Sequence, residues 1–577
     1  MLCDSNKPTD ERQLPNDGRS ATGMSQTFWV QFAVLICCWA IPCWFHWGND
    51  GIWFQGDSPR HALNAVFFLD LVKEGLSDPV EYAHQYYARY PSIAPQRYPP
   101  LFSLLLAGGF AVFGVSGVLA KTMVQVFALV LGVYTLLGLR RWVGNDAGIM
   151  AGLVLLMPGM MKWSGAVMLN VPALALGVAC LFHLRCVLDR PDNRSEYKQL
   201  CLALFFAALS ICVHPTVGVV IPIACSWLLL DRRWRCLLNT RVVAVVVLCM
   251  LVCGLLYWLL FRFSAAQFSQ AGVNKERVAS VIWPRFYLRA IPSLIGWWSI
   301  LGVVVGVIWS LMIPRTRKDT IRIAVASVLT VGLLHCIWAK DERYLLWACP
   351  AATWFIACAL VEISRSKVFV KAKQFVWVIP VLGLTIFSTY FVAITKDKLI
   401  KTVNGFAMVS EHVMRIAPGE PVLYHGTYDG TFVFYLRCLD EKLRQQVVMV
   451  RKLRLQPEQV SSEVGLQWLS DKSRRRQVEI AENQEWIAAE LNRTGCNWLL
   501  LEEPSGKKHQ VLAELLVTLA EIKKYELVEV FNVDMKSQTK RVMLYRIRAT
   551  GLPSQDASKR LVPMQFEGRS CLPVSSR

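Results

Sequence analysis

The sequence predicts a polytopic α-helical membrane protein with about 11 spans, interfacial helices and a small C-terminal α/β domain. Three observations carry this reading. Of 577 residues, 54% are hydrophobic and only 18% charged, with a mean hydropathy of +0.37, too apolar for a soluble multidomain chain. Apolar runs of spanning length recur from residue 28 to residue 394. Near Lys396 the composition becomes soluble and stays so to the end.

The net charge of +20 would suggest nucleic acid if it were gathered on a soluble domain. Here much of it falls in short loops between apolar runs, so topology accounts for it and nucleic acid is not expected as a partner. The 18 cysteines lie mostly inside the apolar runs, as Cys37, Cys38, Cys180, Cys212, Cys249, Cys253 and Cys358 do, where they pack as small hydrophobes. No CxxC or HExxH spacing suggests a zinc site or a disulfide framework.

Residues 1–27 form a polar tail, too long and acidic for an ordinary cleaved signal peptide, so the first run remains as an anchor. Crossing the hydrocarbon core takes roughly 20 apolar residues in a helix. Candidate runs lie near residues 28–47, 99–115, 118–139, 145–161, 166–184, 199–213, 215–230, 241–261, 292–313, 321–338, 344–362 and 374–394. The run at 99–115 is short, holds the pair Gly108–Gly109 and follows Pro99 and Pro100, which suit a helix start. Charge decides whether it crosses. Five basic clusters, at 140–141, 185–198, 232–241, 315–322 and 365–373, hold about 18 Lys and Arg, against about nine in the alternate loops after residue 118. Cytoplasmic basic loops and a cytoplasmic N-terminus then put residues 47–117 outside, with 99–115 lying along the interface. The membrane domain is 28–395, and the C-terminal domain is exoplasmic.

The outward side collects polar residues from distant parts of the chain. In "GDSPRHALNAVFF" Ser58 and Pro59 suit a helix start. Arg60, His61, Asn64, Asp70, Lys73 and Glu74 then make a polar stripe against Ala62, Val66, Phe67, Leu69 and Val72, the pattern of a helix in the interface plane. Asp57 stands at its entrance, as a reacting carboxylate or as a capping or solvated loop residue. In "MKWSGAVMLNVP" Asn170 is a candidate polar contact or a helix cap, and Lys162 with Trp163 reads as an interface anchor. In "KDERYLLWACP" four charges, Lys340 to Arg343, form an outward turn that either meets a lipid phosphate at headgroup depth or is merely hydrated. His214 in "VHPTVG" reads as a loop residue. Gly148 with Gly152, and Gly302 with Gly306, have the spacing of close helix packing.

This order of features resembles the GT-C class of membrane glycosyltransferases, including the protein mannosyltransferases and the aminoarabinose transferases that modify lipid A. The resemblance rests on "GDSPRHA" after the first span, "YPPLFSLLLAGGFAVFGVSG", "MLNVP" and "DERYLLWACP". It covers the layout of residues 28–400 and about twenty residues of specific wording. It implies transfer of a sugar from a polyprenyl-phosphate donor, with its tail in the membrane lipid, to an exoplasmic acceptor that is a glycan, a lipid or a protein. Asp57 matches the catalytic carboxylate, Pro99 and Pro100 open the helix along the membrane, and Arg343 matches the cation that holds the donor phosphate. Lys340 or Arg97 would assist Arg343, and Arg60 and His61 would shape the cavity or bind phosphate. The family usually has an acid where this chain has Asn170, and an amide serves less well as a base or metal ligand, so a divalent metal ion stays open as a cofactor. The same substitution leaves open a noncatalytic protein of this fold. A lipid or polysaccharide transporter would place charges near mid-bilayer and often show an internal repeat, and neither is seen. A bacterial cytoplasmic membrane is the expected location.

Beyond the last span, "PVLYHG", "QQVVMVRKLRL", "NWLLLEEP", "YELVEVFNV" and "RVMLYRIRA" read as strands, and "TFVFYLR" and "HQVLAELLVTLAEIKKY" as helices. They make an α/β domain over 396–549 that could help select the acceptor, followed by a disordered tail at 550–577. The turn "HGTYDG" is either a plain turn or a phosphate cradle. Asn492 in "NRT" is a glycosylation sequon, meaningful only in a secretory membrane.

Overall fold

The computed structural model describes residues 26–47, 51–53, 57–95, 98–189, 194–263, 282–336, 341–365, 402–426, 428–449, 496–503, 525–535, 538–547, 564–566 and 569–571. The chain opens with α1 (Gln26–Trp47), β1 (Ile52–Trp53), α2 (Asp57–Glu74), α3 (Pro79–Arg89), α4 (Leu101–Phe113) and α5 (Gly117–Gly138). A broken stretch follows: a 3₁₀ turn Asn145–Gly152, α6 (Leu153–Leu156) and α7 (Pro158–Ser164). Then come α8 (Asn170–Asp189), α9 (Arg194–Val213), α10 (Val220–Leu230), α11 (Thr240–Phe263), α12 (Ile282–Ile295), α13 (Trp297–Met312), α14 (Pro314–Cys336) and α15 (Ala348–Arg365).

Among the described residues, six helices are long and apolar enough to cross a membrane, or up to eight if each of two bent pairs counts as one span. They coincide with the expected runs at 28–47, 118–139, 166–184, 199–213, 241–261 and 344–362. The runs at 145–161 and 292–313 fall in the bent pairs, which turn by 60° at Pro158 and by 102° at Gly296. The run at 374–394 lies outside the described residues. The 13-residue helix α4 rises only about 20 Å at 1.5 Å per residue, short of the roughly 30 Å hydrocarbon core.

Four glycines let the bundle close. A Cβ on Gly148 would overlap Gln31, one on Gly152 would meet Cys38 Sγ, and one on Gly302 would come within 3.1 Å of Ile356. At Gly306 the obstacle is the Phe355 carbonyl of α15, which cannot rotate away. Gly306→Leu is therefore expected to force α13 from α15 at a cost of about 1–3 kcal/mol. Thermal melts in detergent check it, and an unchanged midpoint contradicts the packing.

Four of the five basic clusters meet at one end of the bundle. Arg185 pairs with Asp319 at 2.7 Å, Arg322 with Asp231 at 2.5 Å, Arg141 with Asp189 at 3.4 Å and Arg233 with Glu196 at 3.8 Å. Asn170 stands at the opposite end of α8 from Arg185, roughly 20 Å away along the axis.

The C-terminal part supplies β2 (Thr402–Asn404), α16 (Phe406–Ile416), β3 (Val422–His425), α17 (Asp429–Leu439), β4 (Val447–Met449), β5 (Trp498–Glu502), β6 (Tyr525–Met535) and β7 (Gln538–Ile547). The sheet runs β1-β2-β6-β7-β5-β3-β4. The β3–β4 and β3–β5 pairs are parallel and the others antiparallel. All five expected strands are present, and "TFVFYLR" lies in α17, while 509–524 and the Asn492 sequon fall outside the described residues. The edge strand β1 comes from the first loop, Ile52 pairing with Val403, which local pattern could not foretell. The tail expected to be disordered holds a short hairpin, Met564–Phe566 against Arg569–Cys571, because backbone pairing there satisfies the chain without a core of its own. The "HGTYDG" turn wraps a protein carboxylate: Tyr428 N donates to Glu502 Oε1 at 2.8 Å, and Glu502 fills the space beside Gly426.

Candidate active site

Asp57 is the first residue of α2, where a carboxylate is favoured by the helix dipole. The helix already includes Asp57, two residues before the Pro59 expected to open it. Ser58 is not its cap, since its hydroxyl is buried with no hydrogen-bond partner. Arg60 Nη1, one turn on, donates to Asp57 Oδ1 at 2.7 Å. From the other side, and 286 residues away in sequence, Arg343 Nη2 reaches Asp57 Oδ2 at 3.5 Å.

The turn that delivers Arg343 is built by its own neighbours. Asp341 caps the 3₁₀ turn Glu342–Leu345 by accepting Arg343 N at 3.1 Å, and its other oxygen lies 3.3 Å from Arg343 Nε. Glu342 turns the opposite way to pair with Lys162. The Arg343 side chain passes inward, 8% exposed, over the rings of Trp163 at 5.8 Å and Tyr344 at 5.5 Å. The carboxylates of Asp341 and Asp57 lie on either side of the buried guanidinium. Burial pushes the Asp341 carboxyl up while Arg343 pulls it down. A merely hydrated turn would not bury its arginine, so that alternative for "KDERY" is set aside.

His61 is 1% exposed, and its Nδ1 has no hydrogen-bond partner. Its ring meets Tyr98 at 4.8 Å, Tyr98 meets His214 at 5.7 Å, and His214 meets Tyr344 at 6.0 Å. These four rings run from α2 to the Arg343 turn. Burial drives both imidazoles down to about 3, so they stay neutral at physiological pH, and the cations described against Asp57 are guanidiniums. His214 Nδ1 also accepts Thr216 N at 3.2 Å, a cap that the "HPT" sequence could have suggested.

Asn170 opens α8 and, with Arg343, lines a small recess together with Thr216, Thr330, Tyr344 and Trp347. The structure therefore brings together Asp57, Arg60, His61 and Arg343, with Asn170 beside Arg343. Arg97 and Lys340 lie outside the described residues. The sequence suggests a loop residue for His214, an anchor for Lys162 and no separate roles for Asp341 and Glu342, and it gives no signal for Tyr98. Among the described residues, no group of three or more His, Cys, Asp or Glu could hold a metal ion. The two guanidiniums on Asp57 make the donor set a poor fit to a divalent cation.

Comparison with solved structures places this geometry in a known architecture. ArnT from Cupriavidus metallidurans bound to undecaprenyl phosphate matches with a TM-score of 0.63 and 14% identity, over 92% of this chain and 100% of that one. The chain has the GT-C fold. The GT-C likeness extends to the archaeal oligosaccharyltransferase AglB from Archaeoglobus fulgidus, in complex with an inhibitory peptide and a dolichol-phosphate. There the TM-score is 0.55 and the identity 12%, over 91% of this chain and 75% of that one. Residues 97–258 match the family described as dolichyl-phosphate-mannose-protein mannosyltransferase. No curated protein matches the chain in sequence. A GT-C fold with several apolar helices makes it an integral membrane protein.

Proposed function

We propose that the chain is an integral membrane glycosyltransferase that moves a sugar from a polyprenyl-phosphate donor to an exoplasmic glycan, lipid or protein. The observation that carries this reading is the buried Arg343 set against Asp57, at the end of the bundle opposite the basic loops. The ArnT and AglB complexes with polyprenyl phosphates support the donor class.

In the proposed mechanism the acceptor hydroxyl or amine attacks the anomeric carbon, and Asp57 takes its proton. The bond from that carbon to the phosphate oxygen breaks, and the configuration inverts. Arg343, with Arg60 near by, holds the negative charge that grows on the leaving phosphate. His61, Tyr98, His214 and Tyr344 form a wall of neutral rings that offers stacking area without a competing charge. Asn170, in the recess beside Arg343, contributes amide hydrogen bonds to donor or acceptor. No step passes through a metal ion. The basic loops are cytoplasmic and residues 47–117 and 396–549 exoplasmic, in a bacterial cytoplasmic membrane.

Purified protein in detergent, given a panel of polyprenyl-phosphate sugars and a mixture of acceptors, is expected to release polyprenyl phosphate from at least one donor. Turnover would also name the sugar. Folded protein that turns over none of them is the outcome that favours the noncatalytic reading, for which Asn170 in place of an acid is the specific observation.

A further inference from the structure

The polar stripe of α2 faces water at its C-terminal end, at Lys73 and Glu74, but is buried at His61, Asn64 and Asp70. Asp70 is 5% exposed and its carboxylate receives Arg437 of α17, 367 residues away: Nη2 lies 2.6 Å from each oxygen and Nε 3.0 Å from Oδ2. Tyr86 of α3 donates to the same Oδ2 at 2.8 Å. Tyr90 donates to Asp440 at 2.5 Å, and Arg437 Nη1 donates to the Asp440 carbonyl at 2.9 Å. Three further contacts tie the same two regions together. Gln446 donates to the Ala88 carbonyl at 2.9 Å. A Cβ on Gly430 would come within 3.2 Å of Pro59, two residues after Asp57. On the other side of Asp57, β1 is hydrogen-bonded to β2.

We propose that the C-terminal domain is a clamp that sets the position of Asp57, with Arg437 as its positioning residue. This rests on the reading of Asp57 as the reacting carboxylate. Asp57 and Asp70 share one helix, which is stiff over the roughly 20 Å between them. A two-pronged guanidinium–carboxylate contact fixes direction as well as distance, so holding Asp70 fixes the rotation of α2 about its axis and with it the direction of the Asp57 carboxylate. A buried ion pair of this kind adds little net stability over apolar replacements of similar volume, whereas misplacing a reacting group by about 1 Å can cost about 10²-fold in rate. The domain is thus part of the catalytic apparatus, in addition to any part in choosing the acceptor.

The test compares full-length wild type with Arg437→Lys and with the double variant Asp70→Leu/Arg437→Met, which leaves no buried charge unpaired. The double variant is expected to lose at least tenfold in kcat for donor turnover with the donor KM within about twofold. Arg437→Lys, which keeps the charge without the fork, should lose less. Hydrogen exchange should quicken over 57–66 and stay unchanged over 170–189. A fall in kcat that disappears once rates are expressed per folded protein, or unchanged exchange over 57–66, overturns the clamp. If the wild type turns over no donor, quickened exchange confined to 57–66 still supports the clamp, and it is the reading of Asp57 that fails.

Discussion

Asp57→Asn is expected to lower donor turnover by about 10²–10⁴-fold, the usual contribution of a positioned general base, without weakening donor binding. The amide oxygen can still accept from Arg60, which now donates to Oδ1, but the Nδ2 that replaces the other oxygen cannot accept from Arg343, and an amide cannot take the acceptor's proton. The substitution also removes the negative charge that now lies against both guanidiniums, at 2.7 Å from Arg60 and 3.5 Å from Arg343. An anionic donor phosphate then meets two cations with less internal compensation, and its affinity should hold or rise. The signature is a fall in kcat with an unchanged or lower KM, read by steady-state release of polyprenyl phosphate. Full transfer by the variant would remove Asp57 from the mechanism.

Arg343→Met should be as damaging for a different reason. Removing one preorganised donor from a developing anion costs about 10²–10³-fold in kcat. Here the loss also leaves Asp57 and Asp341 facing the leaving phosphate without the cation between them. Asp341, pushed up by burial and held down mainly by Arg343, would shift further toward its neutral form. Both kcat and affinity for the product polyprenyl phosphate are expected to fall. Arg343→Lys should recover part of the binding and little of the rate, because an ammonium restores charge and not the fork. Unchanged polyprenyl phosphate binding in Arg343→Met, measured by direct titration, would assign that charge to another residue.

What the sequence made legible follows the range of the forces involved. Apolar runs announce spans because hydrocarbon acts on each residue separately, and strands such as Trp498–Glu502 announce themselves by composition and length. Asp57 could be singled out because it stands at a local boundary, a helix start after a span. Its meeting with Arg343 could not be read, since 286 residues intervene and no periodicity encodes that distance. The stripe Arg60, His61, Asn64 and Asp70 was ambiguous in a more basic way. A polar face packed on another domain has the same pattern as one facing water, so the stripe read as interfacial proved to be buried against Arg437 and the loop carbonyl of Ala94. His214 read as a loop residue for a similar reason: the rings of Tyr98 and Tyr344 that meet it come from two other segments.

The pairing of Ile52–Trp53 with Thr402–Val403 has a consequence for the order of synthesis. The acid is made early and its scaffold late, and the intervening chain is long enough that this closure is entropically among the most demanding in the molecule. The apolar helices between α5 and α15 are made, and the polypeptide must emerge beyond residue 437, before α2 can settle into place. A partly made chain therefore has its carboxylate in the membrane surface without the arrangement that would make it competent. The centre is therefore completed only once residues 402–437 have joined the first loop.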